Sequence, residues 1–437
     1  MRVEAHPLRC SSFASLAPLG IAAGLLGIVS CGLAHAASLT LEDALAGVEQ
    51  HPVVAAARAD LDAARAGVSA AAAEEDWQVG LRARARWIGP AEVAADQGSD
   101  DHKLALLASR PLYEFGRDDA RRAAAEAGAR SRQSAVLDTR DQQRLEVMHR
   151  YFDVLLADLA FAVQNERMAI DFIRWDRVRE RNELGEISDV ELYRLDAAYQ
   201  ARLVKRSAAQ QRQRLSRARL AEAMGSPDEL PDTLVEPAAV PADRELPEYG
   251  ELLQRALAGN RRLLARRERV EVALQQLQLA RAGGRPRLEA QAEMAAYSRE
   301  EGGSDRWRLG VLLSVPLYQG DRLPAARAAA RARLQRERAA LADEEARLRA
   351  TLLELWQQIR LFAARREAAA RQMDYRELYL DRSRIRYEME LGSDLGDAMS
   401  EFSRARLESA EVRYGLILAW AQLEALLGDV AAAPPAE

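Results

Sequence analysis

Four short segments of the chain alternate apolar and polar residues with period two, the signature of strands exposing one apolar face. In the first, Val79, Leu81, Ala83, Ala85 and Trp87 alternate with Gly80, Arg82, Arg84 and Arg86. The second, Lys103 to Pro111, alternates poorly. Leu288, Ala290, Ala292 and Met294 alternate with Arg287, Glu289, Gln291 and Glu293 in the third, and Trp307, Leu309, Val311, Leu313 and Val315 alternate with Arg308, Gly310, Leu312 and Ser314 in the fourth. Around these segments run long stretches dominated by Ala, Arg, Leu and Glu, the bias of long helices that present narrow apolar seams.

Proline placement sharpens the helical part. Residues 112–226 and 325–433 contain none, and an interior proline costs a helix about 3 kcal/mol. Each stretch is interrupted by a glycine-bearing tip, Gly185-Glu186-Ile187-Ser188-Asp189 and Gly392-Ser393-Asp394, where a hairpin turn is expected. Gly185 and Gly392 would supply the left-handed backbone there. Helices are predicted over 117–184 and 189–225, then over 322–391 and 394–428. Thr40 with Asp43 caps a short helix at about 41–50, and Pro52 restarts one to about Asp76.

These elements are two copies of one pattern. Gln50-His51-Pro52 corresponds to Gly259-Asn260-Arg261 at a spacing of 209, Pro111-Leu112-Tyr113 to Pro316-Leu317-Tyr318 at 205, Glu183-Leu184-Gly185 to Glu390-Leu391-Gly392 at 207, and Leu220–Gly225 to Leu423–Gly428 at 203. The predicted organisation is a leader at 1–36 and a first repeat at 37–225, with helices 41–76, strands 78–88 and 103–112 and the hairpin 117–225. A proline-rich linker at 226–247 follows, then a second repeat at 248–429, with helices 248–283, strands 286–297 and 306–317 and the hairpin 322–428, and a tail at 430–437. In each copy two shorter helices end to end nearly match the long one, 62 residues beside 68 and 58 beside 70, so a coiled-coil cylinder is expected.

Residues 1–36 read as a secretory signal, with Arg2 and Arg9, an apolar run near Leu16–Leu33, and Ala34-His35-Ala36 before the cleavage point. Ile28-Val29-Ser30-Cys31 offers a rival, an acylated Cys31 at the mature N-terminus. Both cysteines, Cys10 and Cys31, lie in this leader, so cleavage after Ala36 leaves no disulfide. The chain carries 62 Lys and Arg against 67 Asp and Glu, with Lys103 and Lys205 its only lysines. Its arginines are interspersed with acids, which disfavours nucleic-acid binding. No later run approaches the roughly 20 apolar residues of a helical span; the mature chain enters a membrane, if at all, by strands.

Strands of about ten residues, apolar outward and charged inward, with Trp87, Tyr113, Trp307 and Tyr318 near their ends, fit an outer-membrane barrel with aromatic girdles. The soluble alternative is a pair of amphipathic hairpins. Four strands cannot close a transmembrane barrel, which needs about eight or more; a dimer supplies eight and a trimer twelve. Arg82, Arg84, Arg86, Arg287, Glu289, Glu293 and Arg308 are then expected to line a charged, water-filled lumen.

Over essentially its whole mature length the chain resembles the TolC-like outer-membrane efflux proteins. The resemblance rests on Leu39-Thr40-Leu41-Glu42-Asp43-Ala44-Leu45, then His51-Pro52, the two Pro-Leu-Tyr strand exits, and the duplicated hairpin with its Gly-x-x-Ser-Asp-like tips. It implies a mainly α fold with a small β part, a long α-helical hairpin coiled-coil barrel with four transmembrane β-strands per protomer, completed as a trimeric 12-stranded outer-membrane barrel. It further implies a homotrimer in outer-membrane lipid that meets a periplasmic adaptor (membrane fusion protein) and an inner-membrane pump. Gly185, Glu186, Ile187, Ser188, Asp189, Gly392 and Ser393 become adaptor-contact residues. Asp394 and Asp397, three apart on one helical face, become the acidic periplasmic entrance. Their competing role is stabilisation of a helix N-terminus.

Mature His51, His102 and His149 lie on separate elements without ligand-like spacing, and neither a nucleophile–base pair nor a phosphate loop stands out; no cofactor and no enzyme activity are expected. The expected function is a passive outer-membrane duct of a tripartite efflux or type I secretion system. The alternative is a periplasmic coiled-coil adaptor or scaffold without its own pore.

Overall fold

The computed structural model describes residues 38–94, 96–228, 232–241, 244–299, 305–391 and 394–429. The expected leader 1–36 with Cys31, the tip residues Gly392 and Ser393, and the tail 430–437 lie outside the described residues.

Helix α1 (Leu41–Ala46) starts at a capping box: the Thr40 hydroxyl accepts from the Asp43 amide at 3.1 Å and the Asp43 carboxylate accepts from the Thr40 amide. The chain then tightens into a 3-10 turn at Gly47–Gln50 before α2 (Pro52–Ala73). Strands β1 (Gln78–Arg84) and β2 (Lys103–Tyr113) lead into a hairpin of α3 (Arg117–Glu183) and α4 (Asp189–Met224). The second repeat gives α5 (Tyr249–Gly259), α6 (Arg261–Ala282), β3 (Arg287–Tyr297), β4 (Trp307–Ser314), α7 (Arg322–Glu388) and α8 (Leu395–Leu427). Both α3 and α7 have 67 residues, about 100 Å at ~1.5 Å per residue.

Helix α3 packs against α2 and α4 on one side and α6 and α8 on the other, while α7 packs against α6 and α8. The side-by-side order of rods is therefore α2 with α4, then α3, then α6 with α8, then α7. The two-piece rods are spliced at matching joints. In the second repeat the Asn260 carboxamide accepts from the Leu263 amide at 3.0 Å, capping α6, and donates to the Leu426 carbonyl at 3.1 Å near the end of α8. His51 stands in the same place in the first: Nδ1 accepts from the Val53 amide at 3.3 Å, and Nε2 lies 3.4 Å from the Glu222 carbonyl of α4. Backbone crowding at the second joint requires glycine. A Cβ on Gly259 would meet the Leu427 carbonyl and one on Gly428, at φ +81°, would meet Gly259 itself.

The apolar core gathers around these joints. One cluster joins Leu41, Leu45 and Val54 to Val147, Met148, Tyr151, Phe152 and Tyr414; another joins Leu252 and Leu263 to Leu352, Leu355, Ile359 and Leu423. Phe152 and Tyr414 stack with ring centroids 5.1 Å apart. The buried Tyr151 hydroxyl bonds the Leu39 and Val235 carbonyls at 2.8 and 2.5 Å, which pins the linker to the bundle.

The four strands form one antiparallel sheet in the order β1-β2-β3-β4. Strand β1 stops at Arg84, four residues short of the expected 88, because the Arg86 amide turns to the His102 ring (3.3 Å) instead of a ladder carbonyl. Strand β4 stops at Ser314, short of the expected 317, just before Pro316, which has no N–H to give. Pro111 is instead absorbed into β2 by a register shift between Pro111 and Tyr113.

The tips also differ. Helix α3 closes on Gly185 at φ +76°, with the Gly185 amide on the Asn182 carbonyl and the Glu186 amide on the Arg181 carbonyl. In α7 the left-handed residue is Glu390 at φ +55°, with Leu391 N–H on the Arg386 carbonyl, so that helix ends at Glu388, not at 391. Gly185 and Glu390 are 205 apart, the offset of α3 from α7, whereas the glycines are 207 apart. A glutamate in this conformation carries about 1–2 kcal/mol of strain. Glu390→Gly is therefore expected to stabilise the hairpin by about 1 kcal/mol and Gly185→Ala to destabilise it by a similar amount, read from guanidinium denaturation midpoints.

Candidate functional site

Directly opposed residues of an antiparallel sheet share a face, so the register sorts the strand side chains. Val79, Ala108, Ala292 and Leu309 form one cross-strand row, and Leu81, Leu106, Met294 and Trp307 the next. This face is apolar and open, with Leu81 70% and Leu309 75% exposed. The opposite face carries the rows Gly80–Leu107–Glu293–Arg308, Arg82–Ala105–Ala295 and Arg84–Lys103–Tyr297. Glu289 and Arg287 share that face nearer the helices. Of the expected lumen residues, six therefore lie together on one polar wall. Arg86 lies past the end of β1, where it pairs with Asp101.

Sequence alternation missed Lys103, which sits on the polar face, pairs with Glu293 and lies 5.3 Å from the Tyr297 ring centroid. The signal was masked because β2 also places Leu107 on the polar face and Arg110 on the apolar one. Arg110 donates to the Glu75 carbonyl at 2.9 Å, turning its charge back to the end of α2. Four exposed aromatics mark the sheet's ends: Trp87 and Trp307 by the loops, Tyr113 and Tyr318 by the helices.

At the first tip, Gly185, Glu186, Ser188 and Asp189 are exposed and Ile187 is half-buried. Asn182 donates to the Ile187 carbonyl at 2.8 Å and to the Asp189 carboxylate at 3.0 Å, and Arg181 pairs with Glu186 at 3.0 Å. Leu184, Val190 and Tyr193 around this turn are each more than 70% exposed. Pattern reading passed over them because their neighbours' glycine and serine mark the turn.

Asp394 is the N-cap residue of α8, yet its carboxylate makes no capping bond. It accepts from the Tyr379 hydroxyl at 2.9 Å. That hydrogen bond holds the Asp394 carboxyl below its ordinary value, with Arg386 adding to the effect and partial desolvation opposing it. Asp397, in the first turn of α8, pairs across the repeats with Arg174 of α3 at 2.6 Å. Neither partner could be found from local sequence, since Arg174 lies 223 residues from Asp397.

Comparison with known proteins agrees with this architecture. Residues 252–429 match the family model of outer membrane efflux proteins. No curated protein matches the chain in sequence. Among solved structures it is similar to the outer membrane protein VceC of Vibrio cholerae, at 19% identity and TM-score 0.68 over 90% of this chain and 97% of that one. A membrane protein of Pseudomonas aeruginosa is similar at 16% identity and TM-score 0.72, over 89% and 90% of the two chains. The open MtrE outer membrane channel of Neisseria gonorrhoeae is similar at 17% identity and TM-score 0.69, over 89% of each. The resemblance read from the sequence holds at the level of the fold, which is that of TolC-like outer-membrane channels, and residues 252–429 of the second repeat carry the sequence pattern of outer membrane efflux proteins.

The Asp394 bond has a pH signature. A carboxyl held below its ordinary 3.8 contributes stability above that value and loses it as pH falls through the depressed one. Tyr379→Phe is expected to lower the melting temperature at pH 6 and to converge with the parent as pH falls below the depressed Asp394 value; a pH-independent gap would show that the hydroxyl acts through packing alone.

Proposed function

We propose that three copies of this chain close into a twelve-stranded outer-membrane pore, continuous with a helical periplasmic duct that passively conducts cargo delivered by a periplasmic adaptor and an inner-membrane pump. The observation that carries this reading is the open sheet. Its apolar face is exposed, its edge strands β1 and β4 have no further partner strand among the described residues, and its opposite face is charged. A hydrocarbon core tolerates no unpaired edge, so closure has to come from further copies. A water-soluble scaffold would leave the same face as an aggregation surface.

Two measurements test it. The protein is expected in the sarkosyl-insoluble outer-membrane fraction as a heat-resistant trimer, and release by osmotic shock would overturn the reading. Since Cys10 and Cys31 both precede the expected cleavage point, cysteines placed in pairs along β1 and β4 should give oxidised, covalently closed trimers at one register. No register cross-linking would refute closure by these edges.

The tips 185–189 and 392–393, with exposed Leu184, Val190 and Tyr193, are the proposed adaptor contacts, and Asp394 and Asp397 the proposed entrance. Arg174 offsets the Asp397 charge, so the entrance field is weaker than two free carboxylates would give. Asp397→Ala is expected to weaken block by multivalent cations severalfold in single-channel recordings. Unchanged block in an intact trimer would assign Asp397 to stabilising the α8 terminus and the α3 contact.

A further inference from the structure

We infer that the barrel section of this duct prefers anionic over cationic solutes; the inference rests on the proposed pore. The polar face of the sheet carries five cationic side chains, Arg82, Arg84, Lys103, Arg287 and Arg308, against two carboxylates, Glu289 and Glu293. Ion pairing to Glu114 and Asp305 reduces the excess to one cation per protomer without cancelling it. Glu293 is taken by Lys103, and Arg287 and Arg308 pair with Glu114 and Asp305 at 2.8 and 3.0 Å. Arg82 and Arg84 make no ion pair or hydrogen bond among the described residues, whereas Glu289 accepts only from Gln291.

Both guanidinium groups stand on edge strand β1; Arg82 lines a trough of about 850 Å³ whose floor is opened by Gly80 and Gly310, and Arg84 follows two residues further along the same face. A Cβ at either glycine would meet nothing within 4 Å, so the floor is open at both positions. Three copies bring six such guanidinium groups to one ring. Bounded by a low-dielectric wall, fixed charge of one sign focuses its field into the water and raises the local concentration of counter-ions. Arginine stays charged at any physiological pH and offers planar donors that match carboxylate and phosphate groups. The solutes favoured are therefore small anions and organic molecules bearing such groups. At the other end of the duct the acidic entrance is tempered, because Asp397 is paired with Arg174 and the Asp394 carboxylate is held by the Tyr379 hydroxyl with Arg386 nearby.

The test is the reversal potential of the full-length protein in planar bilayers under a potassium chloride gradient, with Arg82→Glu/Arg84→Glu beside the parent. The parent is expected to pass chloride at least about twofold better than potassium, and the double variant to prefer potassium. A parent that prefers potassium, or a ratio the double variant leaves unmoved, overturns the inference while the pore stands. Absence of any conductance from intact trimers overturns the pore itself. Both positions face water on an edge strand, and the heat-resistant oligomer on unboiled gels reports assembly; if the glutamates prevent it, Arg82→Gln/Arg84→Gln is expected to bring the ratio close to one.

Discussion

The splice between helices is the constraint on which the rest of the structure depends. A 67-residue helix cannot lie alone in water, because it buries its narrow apolar seam only against a rod of comparable length. The chain must also leave each rod to make two strands and come back. It meets both demands by breaking the partner rod in two, 22 and 36 residues in the first repeat and 22 and 33 in the second. The break exposes the amides that begin one helix to the carbonyls that end another. His51 and Asn260 answer that with one side chain each, capping the helix that starts while contacting the carbonyls of the one that stops. The two larger core clusters sit at these joints, where four rods and the linker meet, and a smaller one of Ala273, Leu277, Ala330 and Leu334 joins α6 to α7.

The sheet inherits its incompleteness from the same arrangement. Two strands per repeat are all that one excursion supplies, so β1 and β4 remain edges whatever the packing of the helices. The pairing of β2 with β3 joins the two repeats and fixes one face as apolar from end to end. A slip of one residue between them would turn the polar side chains of one strand, Lys103 of β2 or Glu293 of β3 among them, to the apolar side, so the apolar face itself enforces the register.

Most of this organisation is legible in the sequence because it depends on features that repeat: proline-free stretches, period-two segments and doubled anchors. What escapes depends on single hydrogen bonds. At the second tip Glu390 takes a left-handed position, since the helix offset of 205 and not the motif offset of 207 decides where α7 stops. Arg86 continues the alternation of β1, but His102 captures its amide and the ladder ends. Asp394 and Asp397 look alike as first-turn carboxylates, and only the fold gives one a tyrosine hydroxyl and the other an arginine from the opposite repeat. Lys103 was hidden by Leu107 and Arg110, two residues whose faces run against the pattern.

The abundance of arginine follows from where the core is not. Beyond Val163 on α3 and Ile359 on α7, toward the tips, no further apolar side chain of either helix is fully buried. Charged pairs cross the seams there instead: Arg202 to Asp171 at 2.9 Å, Arg167 and Arg376 both to Glu401, and Arg174 to Asp397. Half-exposed and exposed pairs of this kind contribute about 1 kcal/mol or less each, below the apolar contacts at the joints. A guanidinium suits the task better than an ammonium, because its rigid fork can hold two acceptors across a wet gap, as Arg217 holds both oxygens of Asp158 at 2.7 and 2.9 Å. The protomer is thus most cooperative at the joints and least so in the tip-side halves of its hairpins, where helices are kept in register by many weak and reversible bonds. That gradient places the softest part of the molecule at the proposed entrance and the firmest nearer the sheet, so the hairpin ends can adjust to a partner without loosening the strands.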